Sequence, residues 1–116
     1  MTTSKFADDV QELMGYLGAS LVAVIGSQKS TAVVRNWIKE KSTPDTIIQE
    51  KIHVALTVSR FLAKNGEQDV IHAWFVGMNL DFEDNAPALV IEQATSETLS
   101  SVTEKLLQSA QAFSWM

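Results

Sequence analysis

Apolar residues recur at a helical period along nearly the whole of this chain, and no stretch sustains the alternation of a half-buried strand. Phe6, Val10, Leu13, Met14 and Leu17 stand at i, i+4, i+7, i+8 and i+11, and Gly18 closes the stripe. Leu21, Val22, Val24 and Ile25 form a second, shorter helix, with Ser20 as candidate cap. Val33, Val34, Trp37 and Ile38 form a third. The longest stripe runs from Pro44 to Lys64 and turns Ile47, Ile48, Ile52, Ala55, Leu56 and Leu62 inward, with Ser59 as a small polar interruption on that face. Thr43 is its candidate N-cap, Pro44 suits the first helical position, and Asn65-Gly66 ends it. A further helix is expected over Gln68–Val76, with Val70, Ala73 and Trp74 inward and Ile71 as an additional candidate. Pro87 opens a short helix, and Thr95 or Ser96 starts the last, striped by Leu99, Val102, Leu106 and Ala110.

The periodicity therefore predicts an all-α protein, a helix-turn-helix bundle over 1–66 with an added C-terminal helical lobe over 67–116. Its 116 residues, 46% of them apolar, suffice for a real core. Cysteine is absent, which excludes a disulfide scaffold, a thiolate metal site and a thiol nucleophile. No apolar run reaches the roughly 18 residues a membrane span needs. MTTSKFADD lacks the apolar segment of a signal peptide, so a cytoplasmic location is expected.

Leu21 to Pro44 carries the most specific chemistry. Its first helix stops at Gly26, a residue that tolerates the left-handed backbone of a sharp turn. Polar Ser27, Gln28 and Lys29 follow, and Ser30 or Thr31 can cap the second helix. The side of that helix opposite Val33, Val34, Trp37 and Ile38 carries Arg35, Asn36 and Lys39, residue types that reach bases and phosphates in a major groove. Gln28, Lys29, Ser30 and Thr31 sit at the helix start, where side chains and amides meet phosphates. Lys41 and Lys51 are either phosphate contacts or solvated.

Charge distribution agrees. The whole chain is −5, yet Ser27 to Lys64 holds seven basic residues against three acidic ones, a net of +4. A basic centre between acidic flanks suits a protein that docks one face on DNA.

Two segments carry a family resemblance. Gly26, the Ser30-Thr31 pair, Trp37 and Pro44 resemble the Cro/repressor (Xre) class of helix-turn-helix. Here Gly26 to Trp37 is about two residues longer than that class's usual spacing. Ala73 to Ile91 is similar to the toxin-binding domain of Xre/MbcA/ParS antitoxins, with Trp74, Asn79, Phe82 (or Leu80), Pro87 and Leu89 at the matching places. Asp84-Asn85-Ala86 departs from the Gly-Gly or Gly-Arg step of that family, and AFSWM departs from its usual end. The resemblance implies a repressor of its own operon whose C-terminal lobe blocks a RES-type toxin that acts on NAD.

The remaining features favour plain structural roles. Trp37 and Trp74 lie on apolar stripes and belong to the core. Phe113, Trp115 and Met116, with Phe82, are candidates for a partner or dimer surface, since interfaces are rich in such residues. His53 and His72 lie nineteen positions apart, so neither has the neighbours of a metal site, and no metal or cofactor is expected. Asp81-Phe82-Glu83-Asp84 lacks the ligand spacing of a calcium loop. No phosphate-cradling glycine loop, nucleophile elbow or triad spacing is present, and no enzyme activity is expected.

The expected function is sequence-specific binding of operator double-stranded DNA as a homodimer, with a partner protein on the C-terminal lobe and no membrane. One alternative is a stand-alone phage or mobile-element control protein whose second lobe only dimerises. Another is an interaction module that keeps the helix-turn-helix shape without binding DNA.

Overall fold

Gly18 makes the first corner. Its φ of +84° lets α1 (Lys5–Leu17) end and α2 (Ala19–Ile25) begin with one residue between them. The Gly18 N–H donates to the Met14 carbonyl at 2.8 Å, and its own carbonyl accepts from Val22 at 3.2 Å. Only glycine adopts this backbone without strain. Gly18, and not Ser20, is therefore the N-cap of α2: the chain has already turned two residues earlier.

The computed structural model describes residues 5–114, and within them every regular element is helical. After α2 come α3 (Thr31–Ile38), α4 (Thr46–Ala63), α5 (Gln68–Val76), α6 (Pro87–Gln93) and α7 (Leu99–Ser114). A single 3-10 turn, Leu80–Phe82, lies between α5 and α6. The fold is an all-α bundle, as the periodicity predicts. Among the described residues no helix is long and apolar enough to cross a membrane.

Helix starts follow local chemistry. Pro87 opens α6 at a position where its missing N–H costs nothing. α4 starts later than Thr43-Pro44 would place it. Asp45, extended at φ −68° and ψ 171°, is its N-cap, and the Pro44 carbonyl is taken by the Gln49 side chain at 2.9 Å. Ahead of α7, Thr95 and Thr98 bond each other's backbone N–H through their hydroxyls, at 2.9 and 3.3 Å.

α4 is the axis of the molecule. It packs on α1, α2, α5, α6 and α7, burying Ile52, Ala55, Leu56 and Val58 completely. Each such Ile or Leu contributes about 1.5–3 kcal/mol by leaving water. Val10 and Leu13 of α1, Phe75 of α5, Ile91 of α6 and Leu106 of α7 join the same continuous core. The helices after residue 66 thus share the core of those before it. α2 leans on α6, and α1 on α5.

The inward face of α5 differs from expectation. Ile71, Trp74 and Phe75 are buried, while Val70 and Ala73 face outward. Positions 71, 74 and 75 form an i, i+3, i+4 triad, and packing against α1, α4 and α6 selects it over the neighbouring one, a choice a nearly all-apolar helix leaves open.

Polar side chains also tie α4 to its neighbours. Arg60 of α4 donates to both carboxylate oxygens of Glu12 on α1, at 2.6 and 2.8 Å. Lys51 is buried, and its Nζ donates to the Glu92 carbonyl at the end of α6, at 2.6 Å. Lys51 is therefore a clamp between α4 and α6 and not a phosphate contact.

Candidate nucleic-acid interface

The turn between α2 and α3 is built without a left-handed glycine. Gly26 has φ −84°, and the left-handed residue is Ser27, at φ 60°. The Ser27 N–H bonds the Val24 carbonyl at 3.0 Å and the Gln28 N–H bonds that of Ala23 at 2.8 Å, a Schellman ending. Glycine is required at 26 for another reason. A Cβ there would stand 2.9 Å from Cη2 of Trp37, so the indole of α3 lies directly on the α2 terminus.

That contact fixes α3. Val34 and Trp37 are buried, and the Trp37 ring meets Phe6 of α1 at 5.8 Å between centroids. Ser30 caps α3 through its hydroxyl, which accepts from the Ala32 N–H at 3.1 Å. Gln28 folds its amide back onto the Gly26 carbonyl at 2.7 Å. Both Gln28 and Ser30 thereby shape the turn, with part of their hydrogen-bonding capacity already used.

Thr31, Arg35 and Lys39 line up at i, i+4 and i+8 on the outer side of α3, and Arg35 and Lys39 are exposed. Arg35 lies along the helix and donates to the Thr31 hydroxyl at 3.0 Å. Asn36 is half-buried on the adjoining row. α3 closes with a second Schellman ending: Glu40 is left-handed at φ 60°, and the Lys41 N–H bonds the Asn36 carbonyl at 2.9 Å. This sharp exit leaves Lys41 exposed just past the end of α3.

Of the seven basic residues in the central segment, four therefore belong to the helix-turn-helix: Lys29, Arg35, Lys39 and Lys41, all exposed. The other three are engaged elsewhere. Lys51 is the interior clamp, Arg60 holds Glu12, and Lys64 lies 5.6 Å from the centre of the Phe61 ring. The hydrogen bond from Arg60 holds the Glu12 carboxyl below its ordinary value, outweighing the opposing effect of burial, and the charge of Arg60 adds to the lowering. A carboxylate also reaches the turn. Glu92 of α6 accepts from the Ser27 hydroxyl at 3.2 Å, a cross-bundle contact that no sequence spacing announces.

At the opposite end, Phe82 belongs to the core and not to a partner surface. Only 8% of it is exposed, because the 3-10 turn folds it inward while its neighbour Leu80 faces out. Phe113 is partly exposed on α7, and Trp115 and Met116 lie outside the described residues. Trp74 is buried, edge-on to Phe75 at 5.1 Å. Among the described residues no three His, Asp or Glu side chains are grouped to hold a metal ion.

Fold and surface together define an all-helical bundle with a basic helix–turn–helix pair at one end. No family model, curated protein or solved structure matches the chain.

Proposed function

We propose that this protein is a sequence-specific DNA-binding regulator that lays α3 in the major groove and represses its own operon. One observation carries the reading. Lys29, Arg35, Lys39 and Lys41 all emerge at the α2–α3 unit, while Lys51 is buried as a clamp on α6 and Arg60 is paired with Glu12 on the surface. Arg35 and Asn36 would read base edges, each good bidentate contact discriminating by about 1–3 kcal/mol. Thr31 would join them once Arg35 releases it, which breaks only one exposed hydrogen bond. Lys29, Ser30, Lys39 and Lys41 would meet phosphates and release counterions. One such helix covers only a few base pairs, so a homodimer on a two-part operator is part of the proposal. The resemblance to Xre/MbcA/ParS antitoxins adds a protein partner on the second half of the chain, a RES-type toxin in that family.

Fluorescence anisotropy on the duplex upstream of the gene, at two salt concentrations, tests the DNA reading. Binding should prefer that duplex to a scrambled one and weaken as salt rises. Arg35→Ala should reduce the preference by about tenfold, the loss of one base contact. Equal binding to both duplexes by both proteins would overturn it. An adjacent reading frame for a RES-type protein tests the partner.

A further inference from the structure

The end of the bundle away from α3 exposes its apolar side chains on purpose-built backbone. Met78 is 81% exposed and Leu80 87%, flanking an Asn79 that is tied inward. Asn79 donates through Nδ2 to Ser109 of α7 at 3.1 Å, and its Oδ1 accepts from the Asp81 N–H at 2.9 Å. The Asn79 carbonyl accepts from Phe82 at 3.0 Å and from Asp84 at 2.9 Å. Phe82 is sunk in the core, and the Asn85 side chain closes the loop on the Phe82 carbonyl at 3.0 Å. The backbone on either side of Met78 and Leu80 is thus tied down before anything binds, which lowers the ordering cost of a contact.

They border a groove of about 610 Å³ between α5 and α7, walled by Val70, Trp74 and Phe113. Its rim is acidic. Asp81 is the charged residue that lines it, and Glu83 and Asp84 stand exposed in the same loop. That charge decides the occupant. A second copy docked through this face would bring two acidic loops together, and a nucleic acid would meet them with phosphates; both arrangements are repulsive. An amphipathic helix whose apolar stripe fills the groove and whose flanks carry Lys or Arg satisfies both the shape and the charge.

We infer that the α5–α7 groove, with Met78 and Leu80 at its mouth, is a docking site for a basic amphipathic helix of another protein. This names the chemistry of the partner in the proposed function and rests on that half of the reading only. DNA binding by α3 is not required for it.

The probe is a fluorescein-labelled helical peptide of about 18 residues, with Leu at i, i+3, i+4 and i+7 spacing and Lys elsewhere. A peptide with the same Leu pattern and Glu in place of Lys is the control. The Lys peptide should bind the full chain saturably at one site, at least about tenfold more tightly than the Glu peptide. Met78→Ser/Leu80→Ser should weaken it by about tenfold or more, the loss expected of central apolar anchors. Asp81→Asn/Glu83→Gln/Asp84→Asn should weaken it as well. Because the chain has no cysteine, Leu80→Cys labelled with a bulky maleimide blocks the groove covalently and should give the same loss without touching the core. Operator binding by these variants should equal that of the wild type, which separates this site from α3. Absent binding, equal binding of the Glu peptide, or a Lys peptide indifferent to both the serine pair and the maleimide would overturn the inference. So would a wild-type dimer that the serine pair converts to a monomer, since the groove would then belong to a second copy.

Discussion

α3 and the Met78–Leu80 loop are both held firmly against one core, yet they present opposite surfaces. α3 is pinned by Trp37 and shows cations. The loop is pinned by Asn79 and Phe82 and shows apolar side chains among carboxylates. The lesson is that the anchors and the exposed residues are chosen separately: a buried residue fixes where a segment sits, and its neighbours one or two positions away decide what the segment offers. Trp37 has Arg35 and Lys39 as such neighbours; Asn79 has Met78 and Leu80.

The strongest way to break this comparison is Trp37→Ala. It should cost about 3–5 kcal/mol in urea unfolding, the usual penalty for emptying a large aromatic site. Because the core is continuous, hydrogen-exchange protection in α7 should fall along with that in α3. Unchanged α7 protection would show that the two ends fold independently.

Gly26→Ala is the smaller blow to the same end. The new methyl group meets the Trp37 ring at 2.9 Å, and displacing the ring should cost about 1–3 kcal/mol. Native tryptophan fluorescence should shift with it, while the Met78–Leu80 face should bind as before.

Ser59→Ala should act in the opposite direction. Its hydroxyl is fully buried on α4 and has no hydrogen-bond partner. Removing it should stabilise the protein by about 1 kcal/mol, read as a higher urea midpoint with unchanged slope. Since α4 serves both ends, neither surface should change its binding.

The smallest effect concerns pH. Glu12 has a lowered pKa in the folded chain, so its bond to Arg60 contributes stability above the ordinary carboxylate value. That contribution is lost as pH falls through the lowered value. Glu12→Gln should flatten the acid side of the stability curve slightly, because the pair is exposed and solvent weakens it. An unchanged acid limb would show that the pair contributes nothing.

Much of the fold is legible in the chain. The Gln68–Val76 helix, the Pro87 start, the Ser30 cap and the buried Trp37 and Trp74 each follow from a local pattern. The site is legible only in part. Lys29, Arg35 and Lys39 emerge where spacing puts them, but Lys51 reads like any other basic residue on a helix until α6 arrives to bury it. Phe82 looks like surface because its loop is acidic on both sides, and its direction is set by a 3-10 turn that depends on Asn79 reaching α7. Gly26 reads as a turn residue, although its real constraint is an indole eleven positions away.

Seven helices, most of their limits and the charge each segment carries can be read from the residues in order, since these depend on propensity, caps and periodicity within a few residues. Tertiary structure alone decided which face of α5 turns inward, that Lys51 and Glu92 meet, and that Met78 and Leu80 remain in water. Those outcomes depend on contacts between residues far apart in the chain, where packing and the pairing of buried polar groups outweigh any local preference.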